Sequence, residues 1–412
     1  MPTPLILGTF SPLPKQRRTH ESEASGYVRR GSDGATHTGV RRRLPRSGRF
    51  LLWGVTTIGV LVVGSLGVGC YASEQLLKPD PSQESGYEVE VLGSGEENVE
   101  LSATTNAQRS GTYGLEWAEG YGQVESILNS DESEITRVFH PIWSIPEPGD
   151  ALLDSWAFPH NPERAFGMEY EEIQVTSELG ELPAWYVEGT KDTWMIFVHG
   201  HGTDRGEGLR ILPTLVEQGF PSLVMTYRND AEAPKSPDGL YHLGQTEWRD
   251  LEAAADYALA HGAEDLILVG YSMGGAITCT FLRESVRVDR VRGAILDAPA
   301  LDWDAVLTLQ ARERGLPHVE VPITKFISSF RTGIDWSDLD QVKHTEEFSV
   351  PMLLFHGDQD QTVPVESSDA FAEARPDLVT YHRVHGADHV ESWNLDPESY
   401  RENVEEFLLT LP

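Results

Sequence analysis

The chain has 412 residues, 24% of them charged, and a formal net charge of −33 at pH 7. That length is sufficient for two or three domains. A surface this acidic repels the phosphate backbone of DNA or RNA, so the composition argues against a nucleic-acid partner. The 32 basic side chains are unevenly distributed, because ten of them lie within residues 1–50, which hold only three acidic residues.

An apolar run of 21 residues, 50–70, contains no charged side chain. Such a run is long enough to cross the hydrocarbon core of a bilayer as a helix. Five arginines stand before it: Arg41, Arg42, Arg43, Arg46 and Arg49. No basic residue follows before Lys78, so the positive-inside rule predicts a single-pass membrane protein with a cytoplasmic N-terminus and the rest of the chain outside the cell.

A cleaved secretion signal is the main alternative to a membrane anchor. If translation starts near Val40, residues 40–70 have the length and layout of such a signal. The run ends in Gly-Val-Gly-Cys, which resembles a bacterial lipoprotein cleavage box and would leave the protein secreted or lipid-anchored at Cys70. The second cysteine of the chain, Cys279, is not expected to pair with Cys70.

The segments on either side of the apolar run carry no recognisable chemistry. Residues 1–49 are rich in Ser, Gly, Pro and Arg and are expected to form a disordered, basic cytoplasmic tail. Residues 71–86 contain two prolines and are expected to form a linker. Short alternating runs bounded by turn residues then predict a small antiparallel β-rich accessory region over residues 87–167, which would brace the catalytic part or shape the mouth of its site.

From residue 168 onward, apolar runs alternate with helical patterns. This alternation predicts an α/β domain over 168–412, with a mostly parallel central sheet and helices on both faces. The buried run at 194–198 ends in His-Gly-His-Gly, where close glycines allow backbone N–H groups to converge on one point, as an oxyanion hole requires. We predict the N–H of His201 as one donor. A metal site at His199 and His201 is the weaker alternative, because no third ligand lies at a recognisable spacing.

A second strand end carries the predicted nucleophile. Residues 265–275 read Asp-Leu-Ile-Leu-Val-Gly-Tyr-Ser-Met-Gly-Gly, a buried strand followed by G-x-S-x-G and then a helix. In this context the motif holds a serine in a strained turn with its Oγ exposed above the sheet edge. Ser272 is therefore the predicted nucleophile, and the N–H of Met273 is the second predicted oxyanion donor.

Two later strand ends supply an acid and an imidazole. A serine hydroxyl becomes a good nucleophile only when an imidazole accepts its proton, and a carboxylate must orient that imidazole. The run at 351–355 is followed by His-Gly-Asp-Gln-Asp-Gln-Thr-Val-Pro, and the run at 381–384 by His-Gly-Ala-Asp-His. These stretches offer Asp360 or Asp358 as the acid, and Asp297, which ends the earlier run at 291–296, is a third candidate. The base could be His389, His385 or His382.

Residues 168–412 resemble the esterase and prolyl-oligopeptidase-like branch of the α/β-hydrolases, on the strength of the four motifs just described. The acid motif of that branch, H-G-x-x-D-x-x-V-P, matches residues 356–364, and this resemblance implies Asp360 as the acid. The same match implies His389 as the base. An insertion at about 300–349 is the expected place for a helical cap over the substrate.

Together these features predict a membrane-tethered, extracytoplasmic serine hydrolase that cleaves a carboxylic ester or a related acyl bond. Ser272, His389 and Asp360 would form the catalytic triad and act through an acyl-enzyme, with neither metal nor organic cofactor. The expected partner is a small-molecule or lipid-like acyl substrate. A serine peptidase of the same fold and a non-catalytic surface binding protein are the alternatives.

Overall fold

The computed structural model describes residues 46–79 and 86–412. The cytoplasmic tail predicted over residues 1–49 falls almost wholly outside the described residues, as do residues 80–85 of the predicted linker.

The first element is a single long helix, α1 (Arg46–Leu77), which contains the whole predicted apolar run. Its 32 residues extend for about 48 Å at 1.5 Å per residue. Within it, Gly59–Leu77 has the length and mean hydropathy of a membrane span, which a signal sequence or a buried helix can also have. The linker predicted from residue 71 is instead helical as far as Leu77. The reason is that Leu76 and Leu77 are buried in the core of the larger domain.

The β-rich region closes into a small barrel of six antiparallel strands. In spatial order the strands run β1-β2-β5-β4-β3-β6. Their bounds are β1 (Gly86–Ser94), β2 (Asn98–Ser102), β3 (Tyr113–Trp117), β4 (Gly120–Ser130), β5 (Glu134–Pro141) and β6 (Gly149–Asp154). Alternate residues of these strands point inward and form a core separate from that of the larger domain. Closure leaves no exposed sheet edge, which stabilises so small a unit.

The larger domain is built on one eight-stranded sheet, in the order β14-β13-β12-β11-β9-β10-β8-β7. All neighbouring pairs are parallel except those made by β8 with β10 and with β7. The strand bounds are β7 (Glu171–Ser177), β8 (Gly180–Val187), β9 (Thr193–Val198), β10 (Ser222–Met225), β11 (Asp265–Tyr271), β12 (Val291–Asp297), β13 (Met352–Gly357) and β14 (Val379–Val384).

Helices cover both faces of this sheet, as the sequence predicts. Successive residues of the central strands alternate between two cores: Ile196 and Leu268 lie in one, Phe197 and Val269 in the other. Both faces of a parallel sheet must be buried in this way. The helices are α2 (Pro162–Phe166), α3 (Leu212–Glu217), α4 (Trp248–Ala260), α5 (Met273–Glu284), α6 (Trp303–Glu313), α7 (Glu320–Thr332), α8 (Val365–Ala374), α9 (Ser392–Leu395) and α10 (Pro397–Thr410). The insertion between β12 and β13 consists mainly of α6 and α7.

Candidate active site

The motif at residues 270–274 forms a sharp turn between β11 and α5. Ser272 lies at its apex with φ 50° and ψ −114°, a conformation that costs a non-glycine residue on the order of 1–3 kcal/mol. A Cβ on Gly274 would lie 2.0 Å from the carbonyl oxygen of Val198, and one on Gly270 would lie 2.8 Å from the carbonyl oxygen of Gly274. Only glycine fits at these two positions, so the flanking glycines allow the turn that exposes Ser272.

Ser272, His389 and Asp360 form one continuous hydrogen-bonded line. Ser272 Oγ is 2.9 Å from His389 Nε2, and His389 Nδ1 is 2.6 Å from Asp360 Oδ2. In the tautomer assigned to this arrangement, the hydroxyl donates to Nε2 and the Nδ1–H donates to the carboxylate. Ser272 follows β11, Asp360 follows β13 and His389 follows β14, so the parallel strands bring the three residues to one edge of the sheet.

The carboxylate of Asp360 is fully buried and richly hydrogen-bonded. Its Oδ1 accepts from the backbone N–H groups of Thr362 and Val363, at 2.7 and 2.8 Å, while Oδ2 faces both His389 and His356. Burial alone raises the pKa of Asp360. The charge of His389 and the hydrogen bonds from both imidazoles outweigh burial and hold the pKa well below its usual range. Asp360 is therefore ionised at neutral pH.

The imidazole of His389 responds in the opposite direction. Burial lowers the pKa of His389. The charge of Asp360 and its hydrogen bond to Nδ1 raise the pKa by more than burial lowers it, so the net shift is upward. Asp388 and Glu207 contribute smaller shifts of the same sign. The carboxylate next to the ring therefore makes His389 a stronger base than an exposed histidine.

The two residues predicted to supply oxyanion donors come from loops that meet at Ser272. Met273 is the first residue of α5, where the helix dipole adds partial positive charge. His201 lies in the loop after β9. The backbone of that loop approaches so closely that a Cβ on Gly200 would be 3.1 Å from the Cβ of Ser272.

The loop after β9 is held by two contacts that the sequence did not indicate. The side chain of His201 hydrogen-bonds through Nε2 to the carbonyl oxygen of Leu76, at 2.9 Å, and so joins the loop to the end of α1. Glu207 is buried beside the loop, and its Oε2 accepts from the N–H of Gly200 at 2.7 Å. A glutamate within a short helical turn resembles any solvent-exposed glutamate in sequence, and only its burial distinguishes it.

The other acids and histidines considered from sequence have different partners. Asp358 accepts from His385 Nδ1 and from a backbone N–H, both at 2.8 Å, away from the serine. Asp297 is buried and accepts from the hydroxyl of Ser392 at 2.9 Å; burial raises the pKa of Asp297 to about 6. His382 stacks on an aromatic ring of β13. Of these side chains, the structure brings none into hydrogen-bonding distance of Ser272 Oγ.

His199, the other member of the weaker metal-site alternative, is used to hold the neighbouring loop. Its Nε2 is 2.9 Å from Asp230 Oδ2, its Nδ1 is 3.0 Å from the carbonyl oxygen of Gly200, and its ring stacks on Tyr227 with 4.3 Å between centroids. Both ring nitrogens are therefore engaged within the fold.

Side chains of the barrel bind the loop that carries the predicted base, His389. Arg109, in the loop between β2 and β3, bonds through Nη2 to Glu391 at 2.6 Å and to Asp388 at 3.3 Å. The hydroxyls of Tyr87 and Tyr113 each donate to Glu391 at 3.0 Å. The two acidic residues that these barrel side chains bind lie immediately before His389 and two residues after it.

Asp388 also connects the two loops of the predicted triad. Its Oδ1 accepts from the N–H of His389 at 2.8 Å and from the N–H of Gln361 at 3.2 Å. Gln361 adjoins Asp360, so this one carboxylate fixes the spacing between the loop of the acid and the loop of the base.

A buried arginine inside the barrel fixes the loop that carries Arg109. The guanidinium of Arg137 is fully buried and donates to four backbone carbonyl oxygens, which belong to Ala107, Arg109, Gly111 and Glu125. Burial lowers the pKa of Arg137 to about 10, so it stays charged at neutral pH. The barrel thus presents Arg109 from a rigid support.

The pocket above Ser272 is enclosed by three parts of the fold. The loop after β9 forms one wall, Trp303 and Val306 from α6 form another, and Trp156 enters from the segment that joins the barrel to the sheet. The lining is mostly apolar, with the serine and imidazole at its base. Glu207 and Arg210 also border the pocket and add one charge of each sign.

Two family profiles match this chain. Residues 193–316 match the family described as alpha/beta hydrolase fold. Residues 90–152, which lie within the barrel, match a domain of unknown function (DUF8805). The first range contains the loop after β9, the turn at Ser272 and α6.

The chain also resembles individual proteins. The uncharacterized protein YqkD of Bacillus subtilis (strain 168) is 26% identical over 141 residues, which is 34% of this chain and 46% of that protein, so the chain spans about half the length of this curated relative. The esterase Pf2001 of Pyrococcus furiosus superposes with a TM-score of 0.50 at 20% identity, over 62% of this chain and 97% of the esterase. The ferulic acid-bound Est1E of Butyrivibrio proteoclasticus superposes with a TM-score of 0.44 at 21% identity, over 57% and 98% of the two chains.

The profile match and the superposition on Pf2001 agree with the strand order and the nucleophile turn described above. The larger domain has the α/β-hydrolase fold.

Proposed function

We propose that this protein is a membrane-tethered, extracytoplasmic serine hydrolase that cleaves a carboxylic ester or a related acyl bond. The observation that carries the proposal is the line from Ser272 Oγ through His389 to Asp360, with separations of 2.9 and 2.6 Å. Donor and acceptor types in this order are what proton transfer from a serine requires.

In the proposed mechanism Ser272 Oγ attacks the substrate carbonyl while His389 Nε2 accepts the hydroxyl proton. The oxyanion that forms accepts hydrogen bonds from the backbone N–H groups of Met273 and His201. His389 then protonates the leaving group. A water molecule deprotonated by the same nitrogen hydrolyses the acyl-enzyme and regenerates Ser272, so the residues of this chain suffice for every step.

The location outside the cytoplasm rests on α1 and its flanking charges. The arginines before residue 50 and the uncharged run after it favour a cytoplasmic N-terminus. Cys70, which is exposed, stays the alternative point of lipid attachment. Both forms keep residues 71–77, whose contacts with the larger domain include the bond from His201 to Leu76, and both keep the domain at a membrane.

Covalent labelling of the full chain in detergent with a fluorophosphonate probe tests the catalytic proposal. We expect labelling of the wild type, none in Ser272→Ala, and strongly slowed labelling in Asp360→Asn. Asp358→Asn is the matched control, because Asp358 is also strand-terminal but pairs with His385. Absence of labelling in a folded wild-type sample, or equal labelling of the two aspartate variants, would refute the triad as proposed.

A further inference from the structure

Helix α7 carries an apolar stripe that is only partly covered. Ile323, Phe326, Ile327 and Phe330 are spaced as i, i+3, i+4 and i+7, which places them on one face of the helix. Phe326 is 71% exposed and Phe330 is 85% exposed. Two large aromatic side chains that are exposed one turn apart form an apolar patch, and such a patch marks an interaction surface.

The covered half of the stripe lies against α1. A Cβ on Gly69 would be 2.6 Å from Ile323 and 3.0 Å from Ile327, so the two helices touch at this glycine. Further along, Ser73 Oγ is 3.0 Å from Ser328 Oγ. Because α1 is unbroken, its residues from Gly69 onward pack against the cap directly after its apolar run.

A second polar contact secures the same pair of helices. Arg331 of α7 bonds to Glu74 of α1 at 2.7 Å and to Ser73 at 3.1 Å. The cap is therefore anchored to the helix that carries the membrane-spanning sequence, and its distance from the bilayer is set by α1 rather than by a flexible linker.

The exposed surface of α1 just before this junction is also apolar. Residues 60–63 and Leu66 are between 46% and 71% exposed, and no charged residue occurs in α1 between Arg49 and Glu74. About 20 residues of helix cross a hydrocarbon core, so a span that starts near Arg49 ends near Gly69, which contacts the covered residues Ile323 and Ile327 of the same stripe.

The charge of the segment from α6 to α7 fits the same surface. Residues 303–332 contain four basic and three acidic side chains, whereas the whole chain has 32 basic and 65 acidic ones. This α6–α7 segment is thus free of the strong negative charge that would repel anionic lipid headgroups. Over the whole insertion, residues 300–349, there are five basic and nine acidic side chains, so the acidic excess lies outside the two helices.

We propose that α7 is a membrane-contacting part of the cap: Phe326 and Phe330 enter the headgroup boundary of the bilayer that holds α1, and the active site takes a long-chain acyl ester from that surface. The substrate part of this proposal rests on the proposed function. The membrane-contact part rests on α1 as a membrane span and on its contacts with α7.

Apolar side chains line a crevice near the pocket above Ser272. A narrow crevice between α1 and the cap is lined by residues that include Val68, Ala72 and Val321. Val306 of α6 lines both this crevice and the pocket above Ser272. Gln310, Arg314 and Glu320 also border the crevice, but most of its lining residues are apolar, and an alkyl chain is the ligand class that such a lining favours.

Membrane contact can be measured without catalysis. The full chain carrying Cys70→Ser and Phe330→Cys would be labelled with a nitrobenzoxadiazole thiol reagent and reconstituted in phospholipid vesicles that contain a nitroxide-labelled lipid. The matched control is Val286→Cys in the same background, because Val286 is 79% exposed and lies elsewhere on the domain. We expect the lipid nitroxide to quench the probe at 330 at least threefold more than the probe at 286.

Equal quenching at the two positions would overturn the membrane contact. Protection of the probe at 330 that depends on protein concentration and not on lipid would also overturn it, since the face would then be an interface with a second copy of this chain.

The substrate class is tested with two esters, a long-chain ester embedded in the vesicle and a soluble short-chain p-nitrophenyl ester. For Phe326→Ser/Phe330→Ser we expect at least a tenfold loss of activity on the embedded ester and less than a twofold change on the soluble ester. Val286→Ser/Leu409→Ser, which also removes two exposed apolar side chains, should leave both activities unchanged. Equal losses on both esters would overturn this part, whereas failure of the wild type to label with the fluorophosphonate would instead refute the proposed function.

Discussion

Arg109 joins the barrel to the loop of the predicted base, although it lies 280 residues from His389 along the chain. Its guanidinium bonds to Glu391 and Asp388, on both sides of that histidine. We expect Arg109→Met, which keeps the apolar stem and removes the charge, to impair the proposed reaction without touching substrate or the serine. Arg109 would thus be a positioning residue.

The magnitude follows from the burial of the pair. The side chain of Glu391 is 5% exposed and that of Arg109 is 19% exposed, and removing one partner of a buried ion pair costs roughly 3–5 kcal/mol. Two tyrosine hydroxyls remain bound to Glu391, and burial already raises its pKa, so the carboxyl can protonate. We therefore expect a loss of about 2 kcal/mol in the free energy of unfolding, below the range for a fully stranded charge.

The effect on catalysis depends on how far the imidazole moves. A displacement of about 1 Å at a reacting group lowers the rate by roughly 10²-fold, so we expect kcat/KM for a short-chain ester to fall between about 10-fold and 100-fold. Without Arg109, the negative charge of Asp388 is less neutralised and raises the pKa of His389 further. Because the neutral imidazole is the base, the acidic limb of the pH profile should shift to higher pH.

The assay combines kcat/KM as a function of pH with a thermal melt of the full chain in detergent. Arg109→Lys should recover part of the activity, since it restores the charge but not the forked geometry. Arg287→Met removes a surface arginine whose pair with Asp256 is exposed and should change neither quantity measurably. Wild-type kcat/KM and an unshifted pH profile in a destabilised Arg109→Met would refute the reasoning, because the barrel contact would then be purely structural.

Three further predictions concern the predicted triad and its turn. Asp360→Asn should lower kcat/KM on the order of 10⁴-fold by removing the partner that sets the imidazole tautomer, whereas Asp358→Asn should change kcat/KM less than about threefold; similar losses in both would contradict the assignment of the acid. Gly274→Ala places a Cβ 2.0 Å from the carbonyl oxygen of Val198, so we expect a loss of more than about 3 kcal/mol of stability or no soluble protein, measured by chemical unfolding; a wild-type melting temperature would contradict the turn geometry. The raised pKa of His389 predicts that kcat/KM increases with pH through a value above 6.5 in the wild type and at a lower pH in Asp360→Asn, since the imidazole must be neutral to accept the proton; a wild-type limb below pH 6 would contradict the shift.

Much of the larger domain could be predicted from local patterns. Each of the predicted triad residues lies within five residues of the end of a short apolar run, and parallel strands with crossover helices must carry such residues to the same sheet edge. The type of fold and the placement of Ser272, Asp360 and His389 at that edge therefore depend on information contained within about ten residues of each motif. The structure brings these three side chains together, and their chemical roles stay a prediction.

The residue types alone left the choice between neighbouring acids open, and only the resemblance over residues 356–364 implied Asp360. Asp358 and Asp360 occupy the same loop and are equally compatible with its hydrophobic pattern. Only the burial of Asp360 against His356 and the outward position of Asp358 beside His385 separate them physically.

The sequence by itself determined the α/β architecture, the apolar helix and a β-rich region, because these depend on short-range hydrophobic periodicity. The tertiary structure decided that the β-rich strands close into a barrel, that the barrel binds the loop of His389 through Arg109, and that α1 continues to Leu77 and docks on α7. These features join segments more than 200 residues apart, as Arg109 with Glu391 and Ser73 with Ser328 show. Their formation depends on shape and on the pairing of buried polar groups across the whole fold, neither of which leaves a periodic signal in the chain.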